Sequence, residues 1–198
     1  MESPADWEEI KRWRKLKREE LIRRRTALSV EARHELAERA RALLVQAIDL
    51  NAYKVLGFCW AIKGEFDVRR IAEQHLASGG EVALPVMVER SAPVEFWRWH
   101  PGMAMQTGIW NIPIPKERDV LALDAVLIPL VGFDARGYRL GYGGGYFDRT
   151  LAASMRRPFA IGLGYADGAL PTIYPQSHDI PMNLIVTDQS VHRIDPGA

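Results

Sequence analysis

With 198 residues, 47% hydrophobic and 26% charged side chains and a formal net charge of +1, the chain has the profile of one globular domain, not of a disordered or membrane-embedded protein. A domain of this length buries about 70% of the surface that its unfolded chain exposes. Apolar runs such as Ala125–Val131 are too short to span a bilayer, and the opening Met1-Glu2-Ser3-Pro4-Ala5-Asp6-Trp7 shows no apolar stretch behind a basic start, so neither membrane nor secretory signal is expected. Cys59 is the only cysteine, which rules out an internal disulfide, and no metal-ligand spacing surrounds it; a reducing cytoplasm is the expected setting.

The spacing predicts a helix over Trp7–Arg25, with Ile10, Trp13, Leu16 and Leu21 along one face. Nine Lys or Arg lie between Lys11 and Arg25, against Glu19 and Glu20, so about +7 sits here and −6 in the remainder. Three readings are open for this charge: a solvated helix face, a nucleic-acid contact without an accompanying motif, or arginines folded back toward a nucleotide phosphate. Ser29 is placed to cap a second helix, Val30 to about Ile48. Tyr53–Ile62 reads as a buried strand, Asp67 as the cap of a short helix Val68–Leu76 ending at Gly79-Gly80, and Glu81–Val86 as the next strand. Val94–Trp99 follows as a strand, and the stretch to Pro115 as a long loop in which Trp97, Trp99 and Trp110 suggest an aromatic-lined groove. Asp124–Val131 is the clearest buried strand, followed by a turn at 133–137. After the glycine-rich stretch come a helix to about Met155, a strand Phe159–Gly164, a loop Asp167–Asn183 and a last strand Leu184–Thr187. This alternation predicts an α/β fold, a three-layer α/β/α sandwich with helices on both faces of a largely parallel central sheet. Ligands of such sheets sit beyond the carboxyl ends of the strands.

The organising stretch is Arg139-Leu140-Gly141-Tyr142-Gly143-Gly144-Gly145-Tyr146-Phe147-Asp148-Arg149. Four glycines in five positions let successive N–H groups turn toward one point, and the helix that opens at Tyr146 adds unpartnered N–H groups and a dipole that favours anions. No Lys-Ser or Lys-Thr follows, so it is not a Walker loop; Tyr146 stands where a dinucleotide fingerprint needs a small residue. Phosphate binding and a plain strand-to-helix turn remain the two readings of the residues themselves.

Leu140-Gly141-Tyr142-Gly143-Gly144-Gly145-Tyr146-Phe147-Asp148-Arg149, behind the Asp124-Ala125-Val126-Leu127-Ile128-Pro129 strand, strongly resembles the 5-formyltetrahydrofolate cyclo-ligase family. The basic helix with Ala27-Leu28-Ser29, the Gly80–Pro85 strand, Trp110-Asn111-Ile112-Pro113 and the His178-Asp179 to Thr187 ending fall in that family's order, so the likeness covers nearly the whole chain. The resemblance implies ATP- and Mg²⁺-dependent cyclisation of 5-formyltetrahydrofolate to 5,10-methenyltetrahydrofolate in a single domain. It further implies that Arg139, Leu140, Gly141, Tyr142, Gly143, Gly144, Gly145, Tyr146 and Phe147 cradle ATP, with Arg139 stabilising the transferring phosphoryl group, and that Arg14 and Arg18 reach the nucleotide. Asp148 and Asp179 are implied magnesium ligands, and Glu65, Trp60, Trp110 and Tyr146 implied folate contacts, with His178 orienting its loop. Arg14, where the family has a lysine, and Ile114, where it more often has a polar residue, are departures that leave a non-catalytic binding paralogue as the alternative. A monomer acting without nucleic acid or membrane is expected.

Overall fold

The computed structural model describes residues 6–194; residues 1–5 of the N-terminal stretch read for a secretory signal lie outside it. Helix α1 spans Trp7–Thr26 and starts at Asp6, whose side chain accepts the Glu8 N–H; Glu8 and Glu9 in its first turn and Arg23–Arg25 in its last complement the helix dipole. Ser29 caps α2, Val30–Ala47, by accepting the Ala32 N–H. The chain continues through β1 (Val55–Gly57), α3 (Arg69–Ala77), β2 (Glu81–Val86), β3 (Glu95–Trp99), the small β4 and β5 (Met105–Thr107, Pro113–Pro115) and β6 (Ala125–Pro129). It ends with β7 (Gly132–Asp134), β8 (Arg139–Leu140), α4 (Tyr146–Ala153), β9 (Phe159–Leu163), β10 (Ala169–Leu170), β11 (Leu184–Val186) and β12 (Val191–Arg193).

The main sheet has seven strands in the order β12-β11-β9-β6-β1-β2-β3. Its five inner strands are parallel, and only the edges β3 and β12 run antiparallel. Period-two alternation explains how one apolar strand serves two cores. Ala125 and Leu127 of β6 face a cluster completed by Leu44 of α2 and Ile71 and Ala72 of α3, whereas Val126 and Ile128 face the other side, against Leu151 of α4 and Phe133. The three layers are therefore two helices on one face, and on the other a short helix beside the small sheet β10-β7-β8. Asp124 sews β1 to β6 at their N-terminal ends, its Oδ2 accepting the N–H groups of Lys54 and Val55, both at 3.0 Å.

Five sequence expectations change. The strand expected over Tyr53–Ile62 stops at Gly57, because after Phe58 the chain leaves the sheet for a turn with Lys63 and Gly64 at positive φ; the remaining apolar residues wall a cleft instead of a ladder. The turn expected at 133–137 is a hairpin, β7 against β8, closed by Asp134, whose Oδ1 accepts the N–H groups of Arg136 and Tyr138, and by Gly137 at φ +85°. The long loop before Pro115 contains the β4–β5 ribbon, and β12 extends the sheet beyond the strand expected to be last. Trp97 and Trp99 do not line a groove; both are buried, Trp99 packing edge-on against Phe58 and Trp60.

Candidate active site

The strand order reverses between β1 and β6: the chain steps from β1 outward to β2, and from β6 the other way to β9 and β11. The carboxyl ends of these two strands splay there and leave a crevice. A cleft of about 790 Å³ occupies it, walled by Cys59 and Trp60 after β1, Pro85–Met87 at the end of β2, Pro129 at the end of β6, the loop 139–148, and Arg14 and Arg18 of α1.

Among the described residues, no backbone N–H from Gly141 through Asp148 donates to a protein acceptor; the first helical bond of α4 is from Arg149 to the Gly145 carbonyl, 3.1 Å. Gly143 and Gly145 make the bend with φ of +94° and +63°. A row of unpartnered N–H groups leading into a helix N-terminus is an anion site. Arg149 braces it from behind, its Nη2 donating to the Gly144 carbonyl at 2.6 Å and its guanidinium lying 4.9 Å from the centre of the Tyr146 ring.

On α1 the inward stripe is 14, 18, 21, 25, a helical repeat in which three of four positions are arginine. Arg18 Nε donates to the Gly141 carbonyl, and its guanidinium lies over Gly143. Burial, and secondarily the charge of Arg14, holds the Arg18 pKa below the ordinary arginine value. Arg14 forks onto the 173–179 loop: Nε to the Ile173 carbonyl at 2.9 Å, Nη2 to the Tyr174 carbonyl at 2.9 Å and to Asp179 Oδ2 at 2.6 Å. A lysine has no such fork, so the arginine at this position has a structural reason. Arg139 is buried beneath the loop, Nη1 on the Ile180 carbonyl at 2.9 Å and Nη2 on Asp148 Oδ1 at 2.9 Å. Desolvation lowers its pKa, and the neighbouring Asp148 and Asp179 charges oppose that shift.

Asp148 and Asp179 thus both face arginine. Each still has an oxygen that accepts no hydrogen bond among the described residues, Oδ2 of Asp148 and Oδ1 of Asp179, and both residues line the cleft. The described residues contain no group of three or more His, Cys, Asp or Glu that could hold a metal ion.

The other half of the cleft is apolar and aromatic. Trp60 is fixed by Nε1 donating to the Pro113 carbonyl at 2.7 Å. Trp110 is 69% exposed and stands edge-on to Tyr146, 6.0 Å between centres, on a turn in which Trp110 and Asn111 both have positive φ. Two adjacent non-glycine residues in that region cost roughly 1–3 kcal/mol each, and such strain concentrates where a side chain must be aimed. Ile114 packs on Gly108 and lines the same wall, so its apolar character fits its surroundings. Glu65 lies at the cleft's inner end, its Oε2 accepting the Ile62 N–H at 3.0 Å and its Oε1 the Tyr142 hydroxyl at 2.7 Å. Burial raises its pKa above the ordinary carboxylate range, the Ile62 N–H, Tyr142 and Arg25 pulling the other way.

Arg25 was not singled out from sequence, where it stood among the nine basic residues of the first helix with their role left open. It is buried, donating to the carbonyls of Lys63 (2.9 Å) and Leu130 (3.0 Å), to the Tyr142 hydroxyl and, at 3.5 Å, to Glu65. The signal was its position seven residues after Arg18, on the same stripe as Leu21. Trp7, Lys11 and His178 also line the cleft without having been assigned to it, whereas Leu16, read as an inward residue, is 60% exposed.

The fold and the cleft define a doubly wound α/β structure in which a glycine loop with unpartnered N–H groups and an aromatic chamber with one buried carboxylate open into the same crevice. A family model described as the 5-formyltetrahydrofolate cyclo-ligase family matches residues 10–188, and the chain belongs to that family. It is 34% identical over 176 residues to the 5-formyltetrahydrofolate cyclo-ligase of Escherichia coli (strain K12), covering 85% of this chain and 96% of the relative. The corresponding enzyme of Haemophilus influenzae is 28% identical over 173 residues, covering 83% and 92%. Among solved structures, the 5,10-methenyltetrahydrofolate synthetase of Aquifex aeolicus superposes with a TM-score of 0.80 at 28% identity, covering 93% of this chain and 94% of that one.

Proposed function

We propose that the protein closes 5-formyltetrahydrofolate to 5,10-methenyltetrahydrofolate with consumption of ATP. The observation that carries this reading is the union, in one crevice at the sheet's switch point, of the unpartnered 141–148 N–H groups with a chamber walled by Trp60, Trp110 and Tyr146. A formamide carbonyl is a poor electrophile and its oxygen a poor leaving group. Phosphorylating that oxygen turns it into a leaving group, so that N10 can attack the formyl carbon and the ring closes as phosphate departs. Phosphoryl transfer asks the protein mainly for positioning and charge stabilisation.

Residues 140–147 cradle the nucleotide phosphates, Gly141 to Phe147 through backbone N–H groups, with Arg18 and Arg14 supplying positive charge on the α1 side. Arg139 acts on the transferring phosphoryl group through its field and by holding the loop, since two of its nitrogens are engaged by Asp148 and Ile180. Glu65 accepts from the pteridine's amino and ring N–H groups, while Trp60, Trp110 and Tyr146 enclose its faces and exclude water. Among the described residues Asp148 Oδ2 and Asp179 Oδ1 accept no hydrogen bond, the latter having only His178 Nε2 nearby at 3.8 Å; this suits a hard ion that takes one or two protein carboxylates and completes its shell with phosphate and water, so they would hold Mg²⁺. Bound there, Mg²⁺ supplies neutralisation of phosphate charge. The lone Cys59 is consistent with a reducing cytoplasm as the setting, and we propose a monomer as the working form. Absorbance of methenyltetrahydrofolate formed from 5-formyltetrahydrofolate, followed with and without Mg-ATP, tests the reading. Product is expected only with Mg-ATP; folded protein that forms none, or forms it equally without ATP, overturns it.

A further inference from the structure

Tyr142 is the only residue between Gly141 and Gly145 that carries a side chain, and that side chain leaves the anion site. Its ring centre lies near two cations, 5.3 Å from Lys63 Nζ and 5.8 Å from Arg25 Cζ, and its hydroxyl ends on Glu65 Oε1 at 2.7 Å while accepting from Arg25 Nη2. The two ends of this residue thus belong to different halves of the cleft. The backbone end is flanked by glycines and carries one of the unpartnered N–H groups. The hydroxyl end completes the hydrogen bonding of the chamber's one buried carboxylate.

The neighbours determine what can move. Arg25 is fixed by the Lys63 and Leu130 carbonyls, and Glu65 by the Ile62 N–H, so the receiving end of Tyr142 is rigid. Gly143 at φ +94°, the exposed Gly144 and Gly145 at φ +63° leave the other end pliable, with the Gly141 carbonyl held by Arg18. When phosphates draw the N–H groups of this loop together, the backbone of Tyr142 is drawn with them. The hydroxyl must then either stay on Glu65, fixing which lone pairs the carboxylate offers, or leave it.

We propose that Tyr142 is a positioning residue that couples the filling of the glycine loop by nucleotide phosphates to the grip of Glu65 on the amino and N–H edge of the pteridine, so that the two substrates bind cooperatively. This rests on the assignment of the cleft to ATP and 5-formyltetrahydrofolate. Coupling of this kind is reciprocal: each ligand tightens the other by the same factor.

The test is the ratio of Kd for 5-formyltetrahydrofolate without and with saturating non-hydrolysable ATP analogue and Mg²⁺, measured by tryptophan fluorescence in the wild type and in Tyr142→Phe. The wild-type ratio is expected at about fivefold or more, the lower end of ordinary coupling, and the variant's ratio below about twofold by the same scale. Because a ratio is compared, a change in either single affinity does not enter it. Thermal melting gives a second readout that tolerates a less stable variant: the two ligands together raise the wild-type Tm by more than the sum of their separate shifts, and in Tyr142→Phe the shifts add. A wild type that binds both ligands with a ratio near one overturns the coupling and leaves the proposed reaction standing, as does a variant that keeps the wild-type ratio. A wild type that binds neither ligand overturns both.

Discussion

Arg25→Met probes the support under the cleft. The guanidinium and the Glu65 carboxylate are each 3% exposed, and the arginine also satisfies the Lys63 and Leu130 carbonyls and the Tyr142 hydroxyl. Methionine fills much of the volume but leaves these acceptors without a donor and Glu65 without its counter-charge. Breaking one side of a buried ion pair costs about 3–5 kcal/mol, which for a chain of this length lowers Tm by about 6–20 °C. The pH dependence identifies the cause. Glu65 is already held above its ordinary pKa by burial, and Arg25 is among the groups that pull it back. Without Arg25 the folded-state pKa rises further above the unfolded value. The stability such a group contributes is present below the unfolded pKa and lost as pH rises through the folded one. The deficit of Arg25→Met therefore grows from acid toward neutral pH, and adding Glu65→Gln recovers at least about 1 kcal/mol at neutral pH. Urea unfolding of both variants across that range is the assay. A loss below about 1 kcal/mol with no pH dependence refutes the assignment of Arg25 as the buried hub.

Asp148→Asn is expected to lower turnover about 100-fold or more, since several kcal/mol of metal charge stabilisation are lost; initial rates against Mg²⁺ concentration check this, and rates that match the wild type at every Mg²⁺ concentration remove Asp148 from the metal site. Gly143→Ala meets the Arg18 guanidinium at 3.4 Å, ordinary contact, but forces alanine to φ +94°, so about 1–2 kcal/mol of strain appears in urea unfolding together with a raised Kd for ATP. On the proposed role of Glu65, folate binding needs the ionised carboxylate, and its acid limb is expected above the ordinary glutamate range. Tyr142→Phe removes a donor that favours the ionised form and moves that limb to higher pH, readable in the pH profile of kcat/KM. A limb at the ordinary glutamate value in both proteins contradicts the burial of a functional carboxylate.

Local chemistry carried far in this chain. Ser29 announces α2, the run Ala125–Pro129 reads as a strand buried on both faces, and four glycines before Tyr146-Phe147-Asp148 mark a sharp loop at a helix start, because capping, period-two burial and positive φ are all decided within a few residues. These also sufficed for the fold class and for placing the loop at the carboxyl ends of the strands. Other features depend on distant partners. Whether Tyr53–Ile62 stays in the sheet depends on how long β2 and β6 run beside it, and Trp97 and Trp99 are core only because β3 docks as an edge strand against β2. The deepest case is α1. Its sequence shows nine cationic residues on one helix, and although the stripe shared with Leu21 marks a face, nothing local supplies the acceptors that a buried guanidinium needs. Tertiary packing turned the 14, 18, 21, 25 stripe inward, where carbonyls 105 to 160 residues away in sequence satisfy Arg14 and Arg25. A guanidinium is buried only where such acceptors converge, and convergence of that range is a property of the folded chain.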